Sequence, residues 1–379
     1  MRSKPRQAAA WMVGLAALLA WYAPSQALTM QFDYRYDNGF FTDANAFPHA
    51  QKARAVLEHA GKSFTMYRDS LAGVEPAGSS VWKAKLFNPG DPWAEPIEEP
   101  NLLVPADTVI VYVGAADLGG SLGVGGPGWY WAKGAEEWLD TVEYRGQAGA
   151  AASNPTDFGP WGGSITFNAA AEWSYDIYSP PAGGENDFLS VATHELAHLL
   201  GFGTAPSFAG LVDANADEFH GLAAMSIFGG PVPLNEDPSG GNGHWYPGTE
   251  GTNGGRAQEA AMDPNLLVGS RKLLTDLDVA GMIDLGWEMP EAGDADRDGD
   301  VDPLDYPVVK AGLGGPGAWT DGDFDFDQDV DEDDLALLAA RFDGVTGSAQ
   351  PMSVPEPAGL SILAVAAGVC LSLRERRGG

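Results

Sequence analysis

Apolar and polar positions follow two different patterns in the predicted strands. Residues 30–36 alternate apolar with polar side chains, which is typical of a strand with one buried face, whereas residues 108–113 (TVIVYV) are almost entirely apolar and predict a buried strand. Residues 164–168 predict a further strand. The glycine-rich residues 119–128 predict a surface loop, and residues 205–260 predict loops throughout.

Helical spacing of apolar residues is clearest over residues 187–200, which no proline interrupts. Asn186 or Asp187 can cap the start of this helix. Gly201 can adopt a left-handed conformation, which would end the helix and turn the chain away. Residues 273–285 predict a second, closing helix.

The first of these helices contains the motif H-E-x-x-H-x-x-G. His194 and His198 lie one turn apart on one face, so both imidazoles can bind a single zinc ion. Glu195 would lie beside the open position of that metal and could take a proton from its bound water. Two ligands are too few, so a third must come from elsewhere. His220 and His244 are the histidines downstream, and either imidazole could ligate.

The residues before this motif resemble a known family. Residues 163–168 (GSITFN), the pair at 172–173 (EW) and residues 187–193 (DFLSVAT) are similar to the catalytic domain of matrixins, which are metzincin zinc peptidases. Matrixins place a third histidine three residues after the glycine, where this chain has Thr204. The resemblance implies an α+β fold, with a mixed twisted sheet, an active-site helix and an irregular C-terminal subdomain.

A second resemblance concerns the third ligand. The sequence Gly243-His244-Trp245, followed by Met262, is similar to the leishmanolysin-like branch of the metzincins. There the third histidine is displaced by an insertion, precedes a tryptophan, and is followed by a methionine turn under the metal. By this resemblance His244 is the third zinc ligand and Met262 the turn methionine, with His220 as the alternative.

These resemblances imply a zinc endopeptidase over residues 28–288 that cleaves a protein or peptide substrate. One zinc ion would activate a water molecule, with Glu195 as the general base. In the metzincin layout, residues 164–168 would be the edge strand that pairs with the substrate backbone. A zinc hydrolase that acts on another substrate class is an alternative.

A second motif lies in residues 291–343, which hold 17 acidic and 3 basic residues, a net charge of −14. Aspartates recur at alternate positions of two calcium loops of the EF-hand type, which converge oxygen ligands on one hard cation each. The predicted ligands are Asp294, Asp296, Asp298, Asp300 and Asp305 in the first loop, and Asp323, Asp325, Asp327, Asp329 and Asp334 in the second. Gln328 occupies a position where glycine is usual.

This tandem repeat resembles a dockerin, a small α-helical domain of paired calcium loops, here residues 289–343. The resemblance implies two calcium ions and a cohesin-like protein partner. It also carries the alternative function of the chain: a non-catalytic extracellular matrix or surface protein whose calcium module mediates attachment. The intact Glu195 favours the enzyme over this alternative, because a degenerate enzyme would often lose it.

The two ends of the chain predict export. Residues 1–27 have a basic start, an apolar run and a small-x-small cleavage site, which is typical of a signal peptide. Residues 354–379 resemble a PEP-CTERM sorting signal: a Pro-Glu-Pro step, a short transmembrane helix and an arginine cluster follow a linker over residues 344–353. An exosortase-type enzyme would remove this tail after transient membrane contact. A plain tail anchor is the alternative.

Composition narrows these expectations. The formal net charge of −32 makes nucleic acid an unsuitable partner. The single cysteine, Cys370, excludes a disulfide within the chain and a cysteine from a pro-segment that caps the zinc. The predicted signal peptide and the resemblance to a PEP-CTERM sorting signal together imply an extracellular or cell-surface protein of a Gram-negative-type bacterium.

Overall fold

The structure, a computed structural model, describes residues 28–236, 242–296 and 300–341. The expected signal peptide, linker and sorting signal lie outside the described residues, and so does Asp298. Within the described ranges, no helix has both the length and the apolar character needed to cross a membrane.

Helices and short strands alternate along the described residues. The helices are α1 (Ala50–Lys62), α2 (Glu136–Tyr144), α3 (Phe188–Leu199), α4 (Pro206–Ala209), α5 (Leu222–Phe228), α6 (Asp276–Asp284), α7 (Asp305–Gly312) and α8 (Glu332–Arg341). The strands are β1 (Thr29–Asp33), β2 (Val81–Leu86), β3 (Ile97–Pro100), β4 (Thr108–Ala116), β5 (Gly123–Pro127), β6 (Trp129–Lys133), β7 (Gly162–Asn168), β8 (Trp173–Ser174), β9 (Asn186–Asp187), β10 (Val212–Asp213), β11 (Glu218–Phe219), β12 (Val232–Asn235), β13 (His244–Trp245), β14 (Glu250–Asn253), β15 (Arg256–Glu259), β16 (Gly315–Pro316) and β17 (Asp329–Val330).

The main sheet has four strands in the order β1-β4-β7-β5. Strands β1, β4 and β7 are parallel, and β5 runs antiparallel to β7. The apolar run predicted as a buried strand is confirmed as the central strand β4. Helix α3 packs against β5, β7 and α1, so the motif helix lies directly against this sheet. The expected α+β class is confirmed.

Two expectations about this sheet are wrong. Residues 164–168, expected at the edge, belong to β7, which pairs with β4 on one side and β5 on the other. The edge strand beside β7 is β5, within the stretch expected to be a surface loop, and β1 forms the opposite edge. Glycine disfavours a strand in isolation, but pairing with β7 and close packing on α3 outweigh that local preference.

The stretch from residue 205 to 260 is also more ordered than expected. It contains α4, α5, a four-stranded antiparallel sheet in the order β10-β11-β12-β13, and the hairpin β14–β15. His244 lies on β13, where it is paired with Asn235 of β12. The closing helix α6 starts at Asp276, later than expected, because Thr275 caps it through a capping box with Asp278.

The motif helix α3 is fixed at both ends. Of the two candidate caps, Asp187 is the one used: its carboxylate accepts the N–H of Ser190 at 3.2 Å. Arg271 donates to the same carboxylate through Nε and Nη2, each at 2.9 Å, in a buried bidentate pair. At the other end Gly201 has φ +111°, so the predicted left-handed glycine is confirmed.

A buried arginine joins the start of β4 to three loop segments. Arg145 is fully buried, and its guanidinium donates to four main-chain carbonyls. The acceptors are Ala72 at 2.7 Å, Thr108 at 2.7 Å, Pro160 at 3.0 Å and Pro105 at 2.9 Å. Burial lowers its pKa to about 10, so the side chain remains charged at neutral pH.

The two aspartate repeats predicted as calcium loops each lead into a helix. Helix α7 begins at Asp305, the last predicted ligand of the first loop, and α8 begins two residues before Asp334, the corresponding residue of the second. Strand β16, which lies between the two repeats, pairs with β17 of the second loop. The described residues of these repeats and of the region before them belong to one compact unit.

We predict that Asp69 makes stability depend on pH. Burial raises the pKa of this carboxyl to about 7, although it accepts the N–H of Glu288; Asp157 adds to the rise. The folded state therefore binds the proton more tightly than the unfolded chain, and the stability this provides is lost as the pH rises through 7. Between about pH 4 and about pH 7, the free energy of unfolding of the wild type should fall by up to about 1.4 kcal/mol per pH unit relative to Asp69→Asn.

Chemical denaturation across this pH range is the measurement, with the exposed Glu95→Gln as the control. Parallel curves for the wild type and Asp69→Asn would contradict the assignment.

Candidate metal centre

Three imidazoles converge on one point. His194 and His198 come from α3, and His244 comes from β13. The Nε2 atom of His198 lies 3.0 Å from the Nε2 atoms of both other rings, which are 3.2 Å apart. A tetrahedral zinc ion, with Zn–N distances of about 2.0–2.1 Å, separates its ligand nitrogens by about 3.3 Å. The three nitrogens therefore fit one face of such a site.

The protonation of two rings also suits a metal. Nδ1 of His194 lies 2.7 Å from the carbonyl oxygen of Ala261, and Nδ1 of His198 lies 2.8 Å from that of Phe202. Because a carbonyl can only accept, each Nδ1 carries the proton and each Nε2 presents its lone pair. Burial and the neighbouring His244 lower the pKa of His194 to about 4, so this ring is neutral at pH 7.

The other two positions considered for the third ligand, Thr204 and His220, make different contacts. Thr204, in the usual position of a matrixin ligand, donates its hydroxyl to the carbonyl of His198 at 2.7 Å and so closes the end of the helix. His220 has a side chain that is 41% exposed and lies 3.5 Å from the carboxylate of Glu218. Of the two downstream histidines, the structure brings only His244 into the imidazole cluster.

Met262 lies in a fully buried turn next to this cluster. Its carbonyl accepts the N–H of Trp245 at 3.0 Å, so the turn is joined to the strand that carries His244. The preceding carbonyl, that of Ala261, is the acceptor for His194. The methionine turn therefore contacts both imidazole-bearing segments, α3 and β13, through its main chain.

Asp278, which the sequence did not single out, organises this turn. Its fully buried carboxylate accepts the indole N–H of Trp245 at 3.0 Å and the main-chain N–H groups of Ala261 at 2.8 Å and Met262 at 3.1 Å. Burial raises its pKa, and the N–H and hydroxyl of Thr275 oppose that rise. The sequence signal for Asp278 is the capping box with Thr275, which predicts a helix start but not the contact with the turn.

Glu195 lies under the edge strand β5. Burial raises the pKa of its carboxyl to about 8, and a hydrogen bond from the main chain of Gly125 opposes the rise. A Cβ atom on Gly123 would lie 2.6 Å from Oε1 of Glu195, and one on Gly125 would lie 3.0 Å from Oε2. Glycine at these alternate positions therefore leaves the space that the glutamate occupies. This alternation of glycines is a sequence signal for the position of β5 that the sequence analysis missed.

Each of the two aspartate repeats predicted as calcium loops brings three carboxylates together. Their oxygens lie within 4.8 Å of one another in both clusters, which are Asp294, Asp296 and Asp305 in the first loop and Asp323, Asp325 and Asp327 in the second. Asp300 and Asp329 are exposed and do not belong to these clusters. Asp334 accepts the N–H groups of Phe324 at 2.6 Å and Asp331 at 2.9 Å, and thus closes the second loop.

The second cluster has the character of a cation site. Asp323 is 3% exposed, and its Oδ1 accepts no hydrogen bond from any described residue. Burial raises its pKa well above the ordinary value, and the neighbouring carboxylates, Asp334 first, raise it further. A bound hard cation would satisfy this oxygen and offset the repulsion, so the residues present fit calcium. Gln328 has φ +71°, the left-handed conformation that favours glycine.

Comparison of the chain with protein-family models, with curated proteins and with solved structures gave no match. The function is therefore proposed from the residues and the geometry described above.

We predict that His244, and not His220, is needed to hold a metal at the imidazole cluster. His244→Ala removes one of the three converging nitrogens and should lower zinc affinity by at least about 100-fold. His220→Ala changes an exposed ring outside the cluster and should leave it unaltered. Metal content after dialysis, read by elemental analysis, compares the two. Loss of zinc from His220→Ala alone would reverse the assignment.

Proposed function

We propose that residues 28–288 form a zinc-dependent endopeptidase with Glu195 as the general base. The observation that carries this proposal is the convergence of three imidazole Nε2 atoms next to a buried glutamate that contacts an edge strand of the sheet. When bound, zinc lowers the pKa of a water ligand to about 7 and polarises the scissile carbonyl.

The chain's own residues would then divide the chemistry. His194, His198 and His244 hold the metal as neutral ligands, two of them with Nδ1 protons fixed by carbonyls. Glu195 accepts a proton from the attacking water and passes it to the leaving amine. The N–H of Gly125 stabilises the ionised form of Glu195, as does a cation held at the imidazoles.

The edge strand supports a peptide substrate. The N–H of Gly128 donates to Gly162 and the carbonyl of Leu122 accepts from Asn168, so alternate residues of β5 face β7. Gly125 lies between these residues in the alternation, so its main-chain N–H points away from β7 toward the outer edge of the sheet. There it donates a hydrogen bond to Glu195. An extended peptide that added to this edge would therefore place its backbone beside the general base. This strand replaces the one expected from the sequence.

The calcium repeats complete the proposal. We infer that they hold two calcium ions, one at each aspartate cluster. Export through residues 1–27, removal of the tail by an exosortase-type enzyme and a cohesin-like partner stay predictions from the sequence. The non-catalytic alternative has less support, because Glu195 is intact and the edge strand has glycine where the glutamate needs space.

We predict that Glu195→Gln retains zinc and loses most of its activity. The amide preserves the size of the side chain but cannot accept the proton, so kcat on casein or a peptide library should fall by at least about 100-fold. Glu137→Gln, on the exposed start of α2, is the control. Near-normal turnover by Glu195→Gln would rule out the assignment.

We predict that alanine lowers kcat at one of two adjacent glycines of β5 and not at the other. Alanine at position 125 would press on Glu195, so Gly125→Ala should lower kcat by about tenfold or more while zinc content stays unchanged. A Cβ atom at Gly126 meets nothing within 4 Å, so Gly126→Ala should behave as the wild type. Steady-state kinetics with zinc analysis test this. Equal kinetics for the two variants would show that Gly125 does not position the base.

A further inference from the structure

The hairpin β14–β15 contacts the second calcium loop with its tip. The N–H of Gly254 donates to the carbonyl of Asp325 at 3.2 Å. The side-chain amide of Asn253 donates to the next loop carbonyl, that of Phe326, at 2.7 Å, and also to Leu274 at 2.9 Å. Consecutive carbonyls of the loop are thus held by consecutive residues of the hairpin.

Helix α1 contacts the same loop from another direction. Nε2 of His59 lies 3.3 Å from Oε1 of Gln328. Ser63, at the end of α1, lines a small cavity together with Phe326 and Gln328. This contact gives a reason why the position is not glycine. Gln328 adopts a left-handed conformation, and its side chain reaches His59 of α1, which a glycine could not do.

Charge also favours the contact. Burial raises the pKa of the Asp327 and Asp329 carboxyls, and the charge of Arg256, at the start of β15, opposes that rise. The first loop has a basic neighbour as well, since Arg68 lies 3.2 Å from the carboxylate of Asp294. In a chain with a net charge of −32, both loops therefore lie beside one of its few arginines.

The base of the same hairpin reaches the imidazole cluster. Strand β15 ends at Glu259, and the N–H of Ala260 donates to the carbonyl of Thr249 at 2.9 Å. The next residue, Ala261, supplies the carbonyl that fixes the ring of His194. From Arg256 to Ala261 the chain covers about 17 Å at a strand rise of about 3.4 Å per residue. One continuous segment therefore connects the calcium loop with the partner of a zinc ligand.

We propose that the partner surface of the second calcium loop is this hairpin of the same chain, and that calcium bound there tightens zinc binding at the imidazole cluster. This inference rests on the proposed function, since it requires both ions to bind. It assigns the calcium module a role inside the molecule, as a clamp on the segment that fixes His194.

Calcium binding and zinc binding would be coupled because calcium orders the second loop. Without calcium, the carboxylates of Asp323, Asp325 and Asp327 repel one another, and the buried Oδ1 of Asp323 lacks a partner among the described residues. Calcium would stabilise the loop conformation that presents the carbonyls of Asp325 and Phe326 to the hairpin. A hairpin held at its tip opens less often, and its base then keeps the acceptor of His194 in place.

Two adjacent glycines provide a matched test. A Cβ atom on Gly254 would lie 2.7 Å from Cβ of Asp327, whereas one on Gly255 meets nothing within 4 Å. Both residues have positive φ, +51° and +67°, so alanine costs similar backbone strain at either position. Gly254→Ala therefore disturbs the contact with the loop, and Gly255→Ala controls for the strain.

The experiment measures zinc affinity of the full chain by competition with a chromogenic zinc chelator, with and without millimolar calcium. The wild type and Gly255→Ala should bind zinc about tenfold more tightly in calcium, within the range usual for coupled sites. Gly254→Ala should lose most of this effect. Calcium titration of the zinc-loaded and zinc-free wild type must then show the same factor, because coupling between two binding sites is reciprocal.

The outcomes separate the two proposals. A wild type that binds no zinc overturns the proposed function and this inference with it. A wild type that binds both ions without mutual effect overturns the inference and leaves the endopeptidase proposal standing. Equal coupling in Gly254→Ala and Gly255→Ala overturns the role of the hairpin. Should Gly254→Ala fail to fold, the reciprocal titration of the wild type still decides.

Discussion

The carboxylate of Asp278 is the interaction on which the candidate site depends. It is a buried polar group, and its burial is compensated by donors from three separate segments: Thr275 at the start of α6, Trp245 on β13, and the turn at Ala261 and Met262. A buried carboxylate without these partners would be strongly unfavourable, so the three segments must meet for the chain to fold. The position of His244 and the acceptor of His194 both follow from that meeting.

A second constraint acts on the motif helix at Glu195, and it concerns space. Strand β5 crosses so close to α3 that Gly123 and Gly125 cannot carry a side chain without displacing Glu195. Asp278 fixes the metal ligands through hydrogen bonds, whereas β5 fixes the glutamate by close packing and one main-chain donor. The two halves of the site are thus held by different physical means.

The sequence predicted those parts of the molecule that local spacing determines. The helix with His194 and His198 follows from apolar periodicity, an aspartate cap and a terminal glycine, and the aspartate clusters follow from ligand spacing. The edge strand was missed because glycine-rich residues have no local preference for a strand, and only the sheet order places β5 outside β7. The role of Asp278 at the turn was missed because Trp245, Ala261 and Met262 are distant from it in sequence. Its capping box with Thr275, by contrast, can be predicted from the sequence.

The hydrogen bonds of Arg145 have a consequence for which residues the surrounding positions can carry. Among the described residues, its guanidinium donates to four main-chain carbonyls, and a carbonyl is offered by every amino acid. The neighbouring positions can therefore change identity over evolutionary time without loss of an acceptor, as long as the backbone keeps its course. The donor has no such freedom, because lysine lacks the planar fork that reaches several acceptors at once. Tolerance to substitution in this region should thus be sharply uneven, with one invariant position surrounded by permissive ones.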